Sequence, residues 1–361
     1  MNNTVRLPFY VKFSLLLVGT YVLISMLSIA QTIILPLIYA AILAILLSPI
    51  VSYLESKHVN RAIAVGLVLF FALSIIATLI FLFISQINIL VDAWPLLTEK
   101  FQELIEQFVA WARDNFNIRA SEMNRILANL KEEIFNSNNL GIGHTLTKVG
   151  SLLATVLLTP VYIIMFLYYQ PHLIRFIHKL FGSDNDNNVN EILTAIKGII
   201  QSYLVGLSIE IVIVAVLDSA GLLLLGIPYA ILLGCMGALL NLIPYVGGFI
   251  AASIFVVIAL LTKTPVFVLY VLAIYFVVQF IDNNFLVPKI VGAKVQLNAL
   301  TSILAVFSGA ALWGVPGMFL SIPLVAIIKL IADHIKPLKP WGFLLGDSMP
   351  PLFERKRNHK G

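Results

Sequence analysis

A few polar side chains stand in otherwise apolar sequence, and these are the residues that could do chemistry. Glu210 and Asp218 are the only charged residues between Gly198 and Thr262. A carboxylate at the centre of a bilayer costs about 2.5–3.5 kcal/mol on insertion scales. Acids in such runs therefore line pathways, exchange protons or bind a partner. Glu210 lies deep in its apolar run, seven residues after Tyr203 and on nearly the same helical face. Further on, Gln279 and Asp282-Asn283-Asn284 interrupt another apolar stretch. Carboxylates and carboxamides together can ligate a cation or hydrogen-bond a polar solute. The plainer readings are structural acids at 210 and 218, and a helix end that reaches water before Pro288.

A second kind of signal is a broken helix. Asn241-Leu-Ile-Pro244-Tyr245-Val-Gly247-Gly248 interrupts a run long enough to span a bilayer. Pro244 removes a backbone donor and disfavours a helical residue before it. Backbone freed at membrane depth is tolerated only inside protein or against a water-filled cavity. Broken helices of this kind form transporter binding sites, whereas the plainer reading is a loop at the membrane surface. The break has a partner: Gly237-Ala-Leu-Leu-Asn-Leu-Ile-Pro244 aligns with Gly309-Ala-Ala-Leu-Trp-Gly-Val-Pro316, followed by Gly317. Each copy sits mid-way along an over-long apolar segment, which predicts two hairpins of shortened helices. Pro244 and Pro316 are expected to end the first arm of each hairpin, with the two tips near one another at the bilayer midplane.

Other chemistries find no support. There is no G-x-x-x-x-G-K-[S/T] phosphate loop, no H-E-x-x-H and no G-x-S-x-G, since Gly206-Leu-Ser208-Ile-Glu210 fails at its last position. The one cysteine, Cys235, excludes an internal disulfide and a multi-cysteine metal site. No enzyme activity, cofactor or metal is expected. The chain is 60% hydrophobic and 11% charged, with mean hydropathy +0.98. Soluble domains carry about 25% charged residues. The net charge of +5 is carried in patches between apolar runs. These read as cytoplasmic loops and not as a nucleic-acid surface.

The elements that must position these residues are helices throughout. The fold class is all-α, a polytopic membrane protein of about eight spans with two Pro/Gly-broken hairpins in its C-terminal half. Residues 1–91 hold three spans, with a turn at Gln31-Thr32 and a kink at Pro36. An uncleaved first span is expected, although Ser28-Ile29-Ala30 resembles a processing site. Residues 92–148 carry eight acids against six bases and two amphipathic helices, the second capped by Ser121. Their apolar faces should pack on the bundle or on a neighbouring subunit. Residues 149–335 form the transport core: a fourth span, a short interfacial helix near 172–181, a long helix from about 191 to 225, and the two hairpins around the 265–288 span. Residues 336–361 read as a disordered basic tail. Placing the basic patches inside puts both termini in the cytoplasm and 92–148 outside.

With these residues in view, a family resemblance is visible. Gly226-Ile-Pro-Tyr229-Ala, Asn241-x-Ile-Pro-Tyr-x-Gly247 and Gln279-x-x-Asp-Asn-x-x-x-x-Pro288-x-Ile-x-Gly292 resemble the autoinducer-2 exporter family, over roughly residues 10–335. The resemblance implies a bacterial inner-membrane transporter linked to export of that quorum signal, with sodium–proton exchange in some members. No motif carries a role onto Glu210 or Asp218. The expected function is secondary transport of a small solute through a pathway lined by Glu210, Asp218, Asn241, Pro244, Tyr245, Gly247, Gln279, Asp282, Asn283, Pro316 and Gly317. The lipid bilayer is the expected partner, H+ or Na+ a candidate coupling ion, and a homo-oligomer is open. The alternatives are a sodium/proton antiporter and a non-transporting scaffold acting through residues 92–148.

Overall fold

The structure, a computed structural model, describes residues 8–116, 142–181, 186–243, 246–291 and 297–347. The second amphipathic helix of the insert, Pro244, Tyr245 and the tail from 348 onwards lie outside the described residues. The elements are α1 (Phe9–Ile29), α2 (Gln31–Ser56), α3 (Arg61–Asp92), α4 (Trp94–Phe116), α5 (Ile142–Phe181), α6 (Asp186–Leu224), α7 (Ala230–Asn241), α8 (Val246–Thr262) and α9 (Val266–Ile281). A π-helical segment, Asp282–Val291, follows, then α10 (Ala299–His334) and α11 (Lys339–Leu345). Among the described residues there is no β-strand. The class is all-helical, as the composition dictates. Six helices are long and apolar enough to cross a membrane, and α7 and α8 are shorter apolar helices.

The chain folds as two compact units, each assembled from separate stretches. One contains residues 1–49, 165–209 and 286–361; the other contains 50–164 and 210–285. In the first unit, α1 is apolar all round and buries none of its residues, the pattern of a lipid-facing helix. Pro49 cannot donate to the carbonyl of Ile45, one helical turn back. That oxygen instead accepts from Gln201 Nε2 at 2.8 Å and Ser48 Oγ at 3.0 Å. The proline thus ties α2 to α6 by leaving an acceptor for a side chain to satisfy. Around this tie Ile42, Ile200, Tyr203, Leu204 and Leu320 form the core.

The second expected hairpin is present in this unit. Gly314 (φ 65°, ψ −145°) divides α10 into two arms. That conformation belongs to a region essentially confined to glycine. The arms then close on each other so tightly that a Cβ on Gly317 would meet the backbone of Gly309. The reversal therefore falls at Gly314, and Pro316 does not end the first arm. It lies in the first turn of the returning arm, where a missing N–H costs nothing and a fixed φ suits the helix. Trp313 Nε1 donates to the Leu27 carbonyl at 3.0 Å, and Tyr39 OH donates to the Pro316 carbonyl at 3.1 Å, fixing the tip to α1 and α2.

Two other expectations are corrected. The basic stretch 172–179 is not a separate interfacial helix but the last part of α5. No glycine or capping residue separates it from the span before it. Residues 336–347 are not a disordered tail, because α11 folds back on α10. Asn298 holds it by accepting from the Thr301 N–H at 2.8 Å while donating to the carbonyls of Leu344 (2.8 Å) and Gly346 (3.0 Å). One carboxamide thereby caps α10 and satisfies the orphan carbonyls of α11.

In the second unit, α7 and α8 pack as an antiparallel pair, the first hairpin. Leu222, Leu233, Ala251, Phe255, Ala259, Val271 and Tyr275 form its core. The insert helix α4 packs onto it through Leu97, Phe101 and Leu104, the apolar face read from the sequence.

Replacing Gly314 by Ala meets no neighbouring atom. It should nevertheless lower stability by about 1–3 kcal/mol through backbone strain alone. Gly19→Ala, equally uncrowded but without a positive φ, is the control. Denaturant unfolding of the purified protein in detergent makes the comparison. Equal stability of the two variants would show that residue 314 does not hold this conformation.

Candidate functional site

The polar residues singled out by type come together in the second unit. Asn241 ends α7, and its carboxamide Nδ2 points at two carboxylates. It donates to Asp282 Oδ2 at 2.8 Å and to Glu210 Oε1 at a longer 3.4 Å. Glu210 comes from the middle of α6, and Asp282 from the end of α9, where the helix widens into the π-helical segment. Both are buried, at 7% and 2% exposure. Three helices therefore meet at one amide group whose two N–H bonds serve two acids.

A second layer holds that amide in place. Gln279 Nε2 donates to Asn241 Oδ1 at 3.3 Å and to Tyr275 OH at 3.0 Å. The Tyr275 hydroxyl donates in turn to the Gly248 carbonyl at 2.7 Å, in the first turn of α8. Asn283 Nδ2 reaches the Gln279 Oε1 at 3.4 Å from a more exposed position. The chain of bonds runs from the returning arm of the hairpin, through α9, to the end of its first arm. It joins the end of α7 to the start of α8.

The break itself demands a glycine. Gly247 donates its N–H to the Ile243 carbonyl at 2.9 Å, and a Cβ there would collide with the Leu240 carbonyl. Only a residue without a side chain lets α8 start so close to the end of α7. Asp218 stands on α6 beyond Glu210, 2% exposed, facing Gly237 of α7. It lies within electrostatic range of Asp282 without a hydrogen bond to it. Pro316 and Gly317 belong to the hairpin of the other unit and make none of these contacts. Pro244 and Tyr245 lie outside the described residues.

Electrostatically the site is acidic and unbalanced. Glu210 Oε2, Asp218 Oδ1 and Asp282 Oδ1 are buried and have no hydrogen-bond partner among the described residues. Among the described residues, no ion pair to Lys, Arg or His reaches any of the three. Unpaired buried carboxylate oxygens are costly, so the arrangement is suited to a donor that comes and goes. No group of three His, Cys, Asp or Glu among the described residues could hold a metal ion. Sequence reasoning missed Tyr275, and read Gly248 as a turn residue without its carbonyl's role as acceptor. The available signal was the four-residue spacing of Tyr275 and Gln279, which places both on one helical face.

The sequence profile of the AI-2E family transporter matches residues 12–336. Among curated proteins, "Putative transport protein YueF" of Bacillus subtilis is 25% identical over 315 residues, covering 83% of each chain. "Putative transport protein MT0215" of Mycobacterium tuberculosis is 26% identical over 330 residues, 88% of this chain and 87% of the relative. "AI-2 transport protein TqsA" of Escherichia coli K12 is 23% identical over 322 residues, 88% of this chain and 90% of the relative.

Asn241→Leu removes both donors and leaves two more buried carboxylate oxygens unmatched. Each lost amide–carboxylate bond is worth about 1.5–3 kcal/mol. Tyr275→Phe removes one neutral bond, worth about 0.5–1.5 kcal/mol. Unfolding in detergent should rank Asn241→Leu as the more damaging of the two, and the reverse order would mean that Asn241 does not bridge the acids.

Proposed function

The chain belongs to the AI-2E transporter family, and on that premise we propose that Glu210, Asn241, Gln279 and Asp282 line the solute pathway of a secondary transporter. Membership itself makes it a multi-pass membrane transporter acting on a small solute. The substrate, the direction and the coupling belong to the proposal. The observation that carries it is the shared amide of Asn241. It joins two buried acids from two helices to the end of a broken one, and each acid keeps an unmatched oxygen.

Such a site offers acceptors to a solute rich in hydroxyl or cationic donors, and a few amide donors beside them. A bound solute would satisfy the free oxygens of Glu210 and Asp282 and compete for the Asn241 amide. Because that amide is held through Gln279 and Tyr275 to α8, its release would loosen both sides of the hairpin break. This coupling of occupancy to the break is the kind of two-state element that alternating access requires. The sequence has no phosphate-binding loop, which favours a solute or ion gradient as the driving force. Of the relatives, the AI-2 transport protein makes autoinducer-2 the first solute to try, with export from a bacterial inner membrane as the direction.

Flux in proteoliposomes tests the proposal. Wild-type protein should move autoinducer-2 down an imposed gradient. Glu210→Gln keeps the shape of the side chain and removes its proton exchange. It should cut flux at least about ten-fold or abolish its dependence on pH. Glu55→Gln, outside the site and paired with Arg61 near the end of α2, should leave flux unchanged. Unchanged transport by Glu210→Gln at every pH would return Glu210 to a structural role.

A further inference from the structure

The short helix α11 buries one side and leaves an apolar surface on the other. Gly342 is the buried residue, and a Cβ there would meet Asp333 of α10. At ~100° per residue, the arc facing away from Gly342 carries Phe343, Pro340, Leu344 and Trp341 in angular order. Trp341, Phe343 and Leu344 are 62%, 60% and 61% exposed. No polar side chain occupies that arc. Lys336 and Lys339, both exposed, flank it at the N-terminal side.

The position of this surface says what covers it. Only four residues separate α11 from the end of α10, whose apolar returning arm, residues 315–334, closes back on the first arm from Gly314. α11 must therefore sit close to the level at which α10 leaves the bilayer. There, aromatic rings are stable between acyl chains and headgroups, and lysines reach lipid phosphates. The exposed apolar flank of α10, which includes Ile328, leads towards it. The sequence beyond adds Arg355, Lys356, Arg357 and Lys360 against two acids, Asp347 and Glu354. Exposed lysines beside an apolar face, with more basic residues following in the sequence, match an anionic leaflet.

We propose that α11 is a membrane-interface anchor, with Trp341, Phe343 and Leu344 seated among the acyl chains of an anionic leaflet and Lys336 and Lys339 on its phosphates. The Asn298 side chain makes the anchor part of the hairpin unit, because it caps α10 and holds α11 at once. Lipid at this face therefore fixes the height of α10 in the bilayer. The site is independent of the Glu210–Asn241–Asp282 network and does not rest on the transport proposal.

The full chain is reconstituted with Trp94, Trp111 and Trp313 replaced by Phe, so that Trp341 alone reports. Vesicles contain bromine-labelled phosphatidylglycerol or bromine-labelled phosphatidylcholine in otherwise equal mixtures. Emission should be quenched by brominated lipid and protected from aqueous acrylamide. Quenching should be at least about two-fold stronger with the labelled phosphatidylglycerol. Lys336→Glu with Lys339→Glu should remove that preference while leaving quenching itself. Because Trp313 supports the α10 tip, an independent probe uses Leu344→Cys with Cys235→Ser and a nitroxide label. Its collisions should favour oxygen over a water-soluble nickel chelate. Accessibility to acrylamide and nickel without lipid quenching would overturn the anchor. Protection from both lipid and water would assign the face to protein, a second copy or the basic tail, and equally overturn it. Equal quenching by the two lipids would remove the anionic preference.

Discussion

The arrangement in the second unit depends on one carboxamide placed between two acids. Asn241 has two N–H bonds, and Glu210 and Asp282 each take one. Without it two buried acids would face each other with nothing between them, a configuration that costs more than either buried alone. With it, the middle of α6 and the ends of α7 and α9 are held at a common point. Gln279, Tyr275 and Gly248 carry the constraint on to α8. The network is satisfied towards its amide side and unmatched on the far oxygens of its acids. That asymmetry separates it from an ordinary buried polar cluster, in which nearly every atom finds a partner.

Backbone breaks make the network possible. A continuous helix through residues 230–262 would carry Asn241 and Gly248 on one rod, and the Asn241 amide and Gly248 carbonyl could not bracket α9 from two sides. The reversal after Asn241 is permitted by Gly247, whose missing Cβ leaves room for the Leu240 carbonyl. In the other unit the same device appears with different residues. There Gly314 supplies the reversal and Gly309 with Gly317 the close approach, and Trp313 and Tyr39 hold the tip from outside. A proline inside a helix also acts by freeing an acceptor. The Ile45 carbonyl, released by Pro49 and taken by Gln201, is an instance.

Much of this was legible in the sequence, for physical reasons. Charged groups are so costly in apolar runs that Glu210, Asp218 and Asp282 identified themselves. The ends of α3 and α10 followed from apolar length, whereas the caps Asn60 and Asn298 were not read from the sequence. Tyr275 was legible only through its four-residue spacing from Gln279, because a tyrosine in an apolar helix otherwise reads equally as a ring facing lipid. The true turn of the second hairpin was also hidden. Proline is the louder signal, yet it belongs in the first turn of a helix as readily as after its end. The docking of α11 depends on Asn298, whose acceptors there lie 46 and 48 residues further along the chain and leave no local pattern. The pairing of Glu210 with Asp282 through Asn241 is likewise non-local, and only the packing of α6, α7 and α9 brings it about.

The central claim, that the acids around Asn241 meet the transported solute, is open to a chemical measurement. Dicyclohexylcarbodiimide reacts with carboxyls in apolar surroundings, and the modified residue can be mapped by mass spectrometry in reconstituted protein. A pathway through this network predicts modification at Glu210 or Asp282 that falls when a solute shown to be carried in the flux assay is present. Modification of these residues to the same extent with and without that solute, while transport continues, would contradict it.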